Sequence, residues 1–265
     1  MSRNGQSSLP HRRIPVMDAL PRPLFARSES LPERTTTPPH RHPWAQLSYA
    51  ISGVLRVHTD DGRFLAPPQR AILIPPGLLH EVISSPRTEM RSLYIDYRTL
   101  SWAAPHCQVL AVSPLLRELI RAFGQLPAKY DEQGAEGRMA AVLLDQLRAA
   151  PEIGYSLPWP SDSRLRQLCE AFYDAPDLPF GLAHWSERLG VSEKTLSRQF
   201  RRDTGLSFRA WRQRLRLLSA LPLLEQGQPV TDVALACGYD STSAFIAAFR
   251  LLFGFTPGAL ARQAP

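Results

Sequence analysis

Leu189-Gly190-Val191-Ser192-Glu193-Lys194-Thr195-Leu196-Ser197-Arg198-Gln199-Phe200-Arg201-Arg202-Asp203-Thr204-Gly205 is the stretch that decides how the C-terminal part of the chain folds. It opens with a glycine-containing turn, puts Ser192 where a helix needs an N-cap, and then sets Leu196 and Phe200 four residues apart on one helix face. Ser186 is the small residue before the turn. The same grammar returns about 49 residues later. Gly238 answers to Gly190, Ser241 to Ser192, Phe245 to Leu196, Phe249 to Phe200, Gly254 to Gly205 and Thr256 to Ser207, with Ala234 as the small residue and one extra residue in the second turn. One such unit is common in helical proteins. Two in register predict a pair of helix-turn-helix units.

Charge separates a DNA reader from an ordinary bundle. Between Arg188 and Arg216 there are nine basic residues against two acidic ones, Glu193 and Asp203. Lys194, Arg198, Arg201 and Arg202 fall at i, i+4, i+7 and i+8, a single stripe beside the apolar Leu196 and Phe200. A merely solvated face mixes signs.

The rest of the chain reads outward from there. Residues 161–265 form an all-α domain, 151–160 a Pro-rich linker, and 101–150 a helical segment with stripes at Leu115, Leu116, Leu119, Ile120 and Phe123, then Met139, Val142, Leu143 and Leu147. Those stripes either pack on the neighbouring domain or supply a dimer contact. Residues 21–100 are short apolar runs broken by turn residues, which is all-β texture. Ser52-Gly53 and Asp60-Asp61-Gly62 place glycines where hairpins need positive φ, so consecutive antiparallel strands are expected. Pro67-Pro68 and Pro75-Pro76 bracket a strand at Arg70–Ile74. The fold class is α+β: a small antiparallel β-barrel with following helices, then two helix-turn-helix units. Residues 1–20 are read as a disordered tail.

The net charge of +7 over 265 residues suits a polyanionic partner. Cys107, Cys169 and Cys237 are odd in number and far apart, which excludes a disulfide framework or a structural zinc site and fits a cytoplasmic protein. No signal peptide or membrane segment is read, and no phosphate-cradling loop, nucleophile elbow or paired carboxylates motivate catalysis.

The C-terminal third resembles the AraC/XylS family of transcription regulators through Leu189–Gly205, and through Gly238-Tyr239, Ser241, Phe245, Phe249-Arg250, Gly254 and Thr256-Pro257. The resemblance implies two reading helices joined by a linker helix. It puts Lys194, Thr195, Ser197 and Arg198 on bases, Arg201 and Arg202 on phosphates, and Ser241, Thr242, Ser243, Ile246, Ala247 and Arg250 at the second reader. Ala247 stands where the family often has a basic residue, which predicts a weaker second reader. Pro222, inside the expected linker helix from Ser207 to Leu224, predicts a kink or an early end.

His40-Arg41-His42, Gln46 and Gly53, followed by Pro75-Pro76-Gly77-Leu78-Leu79-His80, resemble the two motifs of the cupin superfamily. In metal-binding cupins the equivalents of His40, His42, Gln46 and His80 converge on a divalent transition metal, though an amide at position 46 is a poorer ligand than the usual carboxylate. The other reading makes the same place an effector pocket of His40, His42, Gln46 and His80 walled by Trp44. His11, His58, His106 and His184 carry no ligand spacing. The whole resembles the branch with a short cupin, two helices and the reader domain, often called NimR-like. That implies a non-enzymatic regulator, an activator in one mode, that binds double-stranded DNA, RNA polymerase and a small-molecule effector and forms homodimers, with no cofactor required. Two alternatives stand: a metal-dependent cupin enzyme with a DNA-binding tail, and a constitutive DNA-binding protein whose barrel only dimerises.

Overall fold

The computed structural model describes residues 10–11, 17–100 and 102–261. Most of the expected N-terminal tail, 1–9 and 12–16, lies outside the described residues. Among the described residues the chain divides into two compact units, 1–59 with 64–154, and 60–63 with 155–265.

Unit 1 is built from β1 (Leu24–Leu31), β2 (Thr36–His40), β3 (Ala45–Ser52), β4 (Leu55–His58), β5 (Gly62–Ala66), β6 (Arg70–Ile74), β7 (His80–Ser84), β8 (Thr88–Ile95) and β9 (Gln108–Ala111), then α1 (Pro114–Phe123) and α2 (Ala135–Ala149). The strands form two antiparallel sheets, one of order β1-β8-β3-β6-β9 and one running β5-β4-β7-β2. The expected strand at Arg70–Ile74 is β6, bounded by Pro67-Pro68 and the Pro75-Pro76-Gly77 turn.

The first sheet has two differently dressed faces, because successive side chains on a strand point to opposite sides. Ala45, Leu47, Tyr49, Ala71, Leu73, Leu93 and Ile95 share a core with Leu116, Ile120 and Phe123 of α1 and Ala140, Leu143 and Leu147 of α2. Full burial of such side chains is worth roughly 1.5–3 kcal/mol each. The helices thus pack on the barrel, while Leu115 and Val142 of the expected stripes remain 54% and 44% exposed. The other face carries Gln46, Ser48 and Ser92, all buried, with Ser48 opposite Ser92 and Gln46 opposite Tyr94.

Three local expectations are corrected here. Gly62 is not at positive φ; it lies in β5 as extended backbone. Ser52-Gly53, at φ +90°, does not close a hairpin, because β3 and β4 belong to different sheets. It is a corner at which the chain changes sheets, so consecutive strands are mostly not neighbours. The segment 101–150 is not wholly helical, since the short run Gln108–Ala111 adds to β6 as an outer strand.

Unit 2 contains β10 (Ser156–Pro158), α3 (Ser163–Asp174), α4 (Leu182–Leu189), α5 (Glu193–Thr204), α6 (Phe208–Glu225), α7 (Val230–Ala236), α8 (Thr242–Phe253) and α9 (Pro257–Ala261). In the stretch 151–160, Tyr155, Leu157 and Trp159 are buried, and the backbone N–H of Trp159 donates to the Asp61 carbonyl at 2.8 Å. The internal repeat is physical. Gly190 and Gly238 turn at φ +66° and +74°, Ser192 and Ser241 cap α5 and α8, and Gly205 and Gly254 end those helices at φ +72° and +80°.

Pro222 does not end its helix: α6 runs on to Glu225. A proline so near the C-terminus forfeits one hydrogen bond, to the carbonyl four residues before it. The buried Leu217, Leu218, Leu221 and Leu224 hold the last turn in place.

Candidate functional site

The exposed face of α5 follows from how the helix is seated. Leu196 and Phe200 are fully buried, Phe200 meeting Phe208 and Trp211 at ring separations of 5.5 and 5.7 Å. This turns Lys194, Arg198, Arg201 and Arg202 to solvent. Among the described residues Lys194, Arg198 and Arg201 have no carboxylate partner, whereas Arg202 pairs with Asp203 at 3.3 Å. Ser197 is half-buried. So is Thr195, whose hydroxyl sits 2.9 Å from Ser192 Oγ while its N–H donates to the same atom. Thr195 therefore belongs in part to the cap.

In α8, Phe245 and Phe249 are buried in the same way. Ser241, Ser243, Ala247 and Arg250 are exposed, and Thr242 and Ile246 half-buried. Arg250 is the only basic residue on this helix. α8 is thus the less charged of the two repeat helices.

Not every arginine of the basic window faces outward. Arg212 donates to the Phe180 carbonyl at 3.0 Å and to that of Leu178, and its guanidinium lies 4.9 Å over Phe172. Arg214 donates to the Ser156 carbonyl and Arg216 to that of Pro176. Burial pushes the guanidinium pKa of Arg212 and of Arg214 below the ordinary value, with Arg216 adding to the effect on Arg212. These three fasten loops, a role that a count of charges cannot reveal.

In the barrel, pairing of β2 with β7 sets His40 directly opposite His80, and their rings lie 4.3 Å apart. The segment from β2 to β3 brings His42 to 5.1 Å from His80. The Pro75-Pro76-Gly77 turn anchors it, with the Gly77 N–H donating to the His42 carbonyl at 2.9 Å. Gln46 and Ser48 complete the cluster, their side chains 2.9 Å apart. Trp44 stacks on His42 at 5.3 Å and also lines a separate cavity of about 340 Å³ with Asp18, Arg22, Tyr97 and Glu132. The structure thus gathers His40, His42, Gln46 and His80 and puts Trp44 at their edge.

Tautomers follow from the partners. Nδ1 of His40, His42 and His80 faces the carbonyls of Pro38, Trp44 and Leu78 at 2.8, 2.7 and 2.9 Å. A carbonyl only accepts, so each Nδ1 carries the hydrogen, and in the neutral rings of His40 and His80 the Nε2 keeps its lone pair. Gln46 Oε1 faces His42 Nε2 at 3.0 Å, and the Gln46 NH2 donates to Ser48 Oγ at 2.9 Å. His80 is 1% exposed, and its Nε2 is buried with no hydrogen-bond partner. Burial depresses its pKa to about 4, with His40 and His42 adding to the effect and the Leu78 carbonyl opposing it.

The donor atoms of the three histidines lie within 4.8 Å of one another. Nδ1–H bonds to carbonyls are the usual outer support of a metal-binding imidazole. With an orphaned Nε2 at its centre, this donor set fits a divalent transition metal. Ser48, Ser92 and Tyr94, absent from the sequence reading, share the same interior face. Only the strand register could reveal them.

Cys107, Cys169 and Cys237 are buried and not joined in a disulfide. Among the described residues no helix is long and apolar enough to cross a membrane.

Comparison with known proteins matches residues 23–147 to the family described as AraC-like ligand binding domain, and residues 185–263 to that described as helix-turn-helix domain. The chain is 34% identical over 226 residues to the HTH-type transcriptional regulator NimR of Escherichia coli (strain K12), covering 85% of this chain and 82% of that one. It is 28% identical over 230 residues to the arabinose operon regulatory protein of Salmonella typhimurium (strain LT2), covering 80% and 81%. The crystal structure of ToxT from Vibrio cholerae O395 aligns with a TM-score of 0.39 and 12% identity over 91% of this chain and 98% of that one.

Proposed function

Because the chain belongs to the AraC/XylS family of transcriptional regulators, we propose that it reads a specific DNA sequence through α5 and α8 and responds to a small molecule held inside its barrel. The observation that carries the first half is the basic stripe of α5, in which Lys194, Arg198 and Arg201 have no carboxylate partner among the described residues, on a helix whose opposite face is locked into the core. Lys194, Ser197 and Arg198 read base edges, Thr195 reads and caps, and Arg201 and Arg202 position the helix on phosphates. Ser241, Thr242, Ser243, Ile246, Ala247 and Arg250 form the second, weaker reader.

The effector site is the interior polar cluster of His40, His42, Gln46 and His80 beside Trp44. An effector acts by binding two conformations with different affinity, which shifts their populations and with them the contact with DNA or RNA polymerase. One observation favours a metal as occupant: the partnerless, deeply buried Nε2 of His80. His40, His42 and His80 would hold the ion, with the Gln46 amide as a weak fourth ligand, and the ion would supply an electrophilic centre for an anionic effector. No catalytic role is assigned. The exposed Leu115 and Val142 mark the face through which α1 and α2 join a second copy. A cytoplasmic location goes with this function.

The test is a salt titration of binding to DNA flanking the coding region, with wild type beside Arg198→Ala. Loss of a guanine-edge contact is expected to weaken specific binding by about 10-fold or more, with a small effect on random DNA. Equal, salt-labile binding of both proteins to any sequence removes the first reader.

A further inference from the structure

Unit 2 holds a cavity of about 530 Å³ whose walls include Ser197, Ser207, Arg209, Arg212, Arg216 and Tyr239. Three arginines meet here, and among the described residues none of them has a carboxylate partner. Arg212 and Arg216 are held by backbone carbonyls, which accept hydrogen bonds but do not neutralise charge. Arg212 Nε is buried with no acceptor. Arg209 is exposed and has no hydrogen bond or ion pair among the described residues. The cavity also faces the capped N-terminus of α6, where N–H groups carry partial positive charge. A half-open cavity lined by three guanidinium groups without a neutralising carboxylate among the described residues suits an anion, and the guanidinium fork matches phosphate oxygens two at a time.

We propose that this cavity is a phosphate site and that its phosphate belongs to the backbone of DNA engaged by both readers. The inference rests on the reading function proposed above. Its walls decide the source. Ser197 lies on the first reading helix between Lys194 and Arg198, and Tyr239 lies in the turn that precedes the second. A strand passing from one reader to the other crosses the cavity. A phosphate seated there fixes the spacing between the two readers without reading any base.

The test uses the full chain on the flanking duplex, with phosphates between the two read segments replaced singly by uncharged methylphosphonates. Wild type is expected to lose about 5-fold or more at one or two positions. Arg209→Ala and Arg212→Gln should lose less than about 2-fold there, with a salt slope shallower by about one. Arg209→Ala keeps the comparison sound if Arg212→Gln, which also frees the 178–180 loop, fails to fold. Equal losses in wild type and Arg209→Ala at every position overturn the proposal. Tight calorimetric binding of inorganic phosphate or pyrophosphate that leaves DNA affinity unchanged also overturns it, by assigning the cavity to a free anion. Salt slopes are measured on random DNA as well, where base reading plays no part. Equal slopes there defeat the phosphate site, while a wild type without sequence preference but with the steeper slope defeats only the reading function.

Discussion

Gly53 and Gly190 share a backbone conformation, at φ +90° and +66°, but not an environment. A Cβ on Gly190 would meet nothing within 4 Å, so Gly190→Ala should cost only the left-handed strain, roughly 1–2 kcal/mol. A Cβ on Gly53 would run into the Thr88 side chain and come 2.9 Å from its Cα. Gly53→Ala should add an overpacking penalty of roughly 1–3 kcal/mol to that strain; denaturant unfolding of both variants checks the difference. His80 sets a pH dependence of definite sign. Its folded pKa of about 4 lies below the ordinary 6.5, so between those values the unfolded chain takes up a proton that the folded barrel refuses. The stability tied to the neutral ring is complete above the unfolded pKa and is lost as pH falls toward 4. Going from pH 7.5 to 5 without metal, wild type should lose about 2 kcal/mol more than His80→Gln, as measured by urea unfolding.

Helices α5 and α8 each depend on a serine cap. Ser192 accepts from the Thr195 N–H and Ser241 from the Ala244 N–H, so Ser192→Ala and Ser241→Ala should each cost about 1 kcal/mol, and Ser192→Asp should restore most of it. The same helices differ in charge. Ala247 is exposed on α8, and Ala247→Arg should strengthen binding to random DNA and steepen its salt dependence by about one phosphate contact. These elements were legible because their signals are local: a Ser cap, a glycine stop and a four-residue apolar spacing. Pro222 was misread because its cost depends on distance from the helix end, and α6 ends three residues later. Gly53 was misread because a tight turn looks the same in sequence whether it joins two paired strands or carries the chain to another sheet.

In the whole molecule, the barrel's occupant should be visible as stability. A divalent transition metal such as Zn²⁺ at 100 times its Kd should add about 2.7 kcal/mol to the folded state, reversibly with chelator, and His80→Gln should abolish the gain. An unchanged thermal midpoint in wild type would leave the cluster to an organic effector. The sequence by itself determined the two helix-turn-helix units, their place after the β-rich part, the basic stripe of α5 and the candidate histidines, because each is written in residue types at fixed short spacing. Tertiary structure alone decided three things. Strand pairing set His40 against His80, and register put Ser48 and Ser92 on the interior face. Packing of α6 turned Arg212, Arg214 and Arg216 from apparent surface charge into loop fasteners and left a basic cavity lined from Ser197 of α5 to Tyr239 before α8. Each joins residues far apart in the chain, and no local pattern encodes which distant partners a fold will bring together.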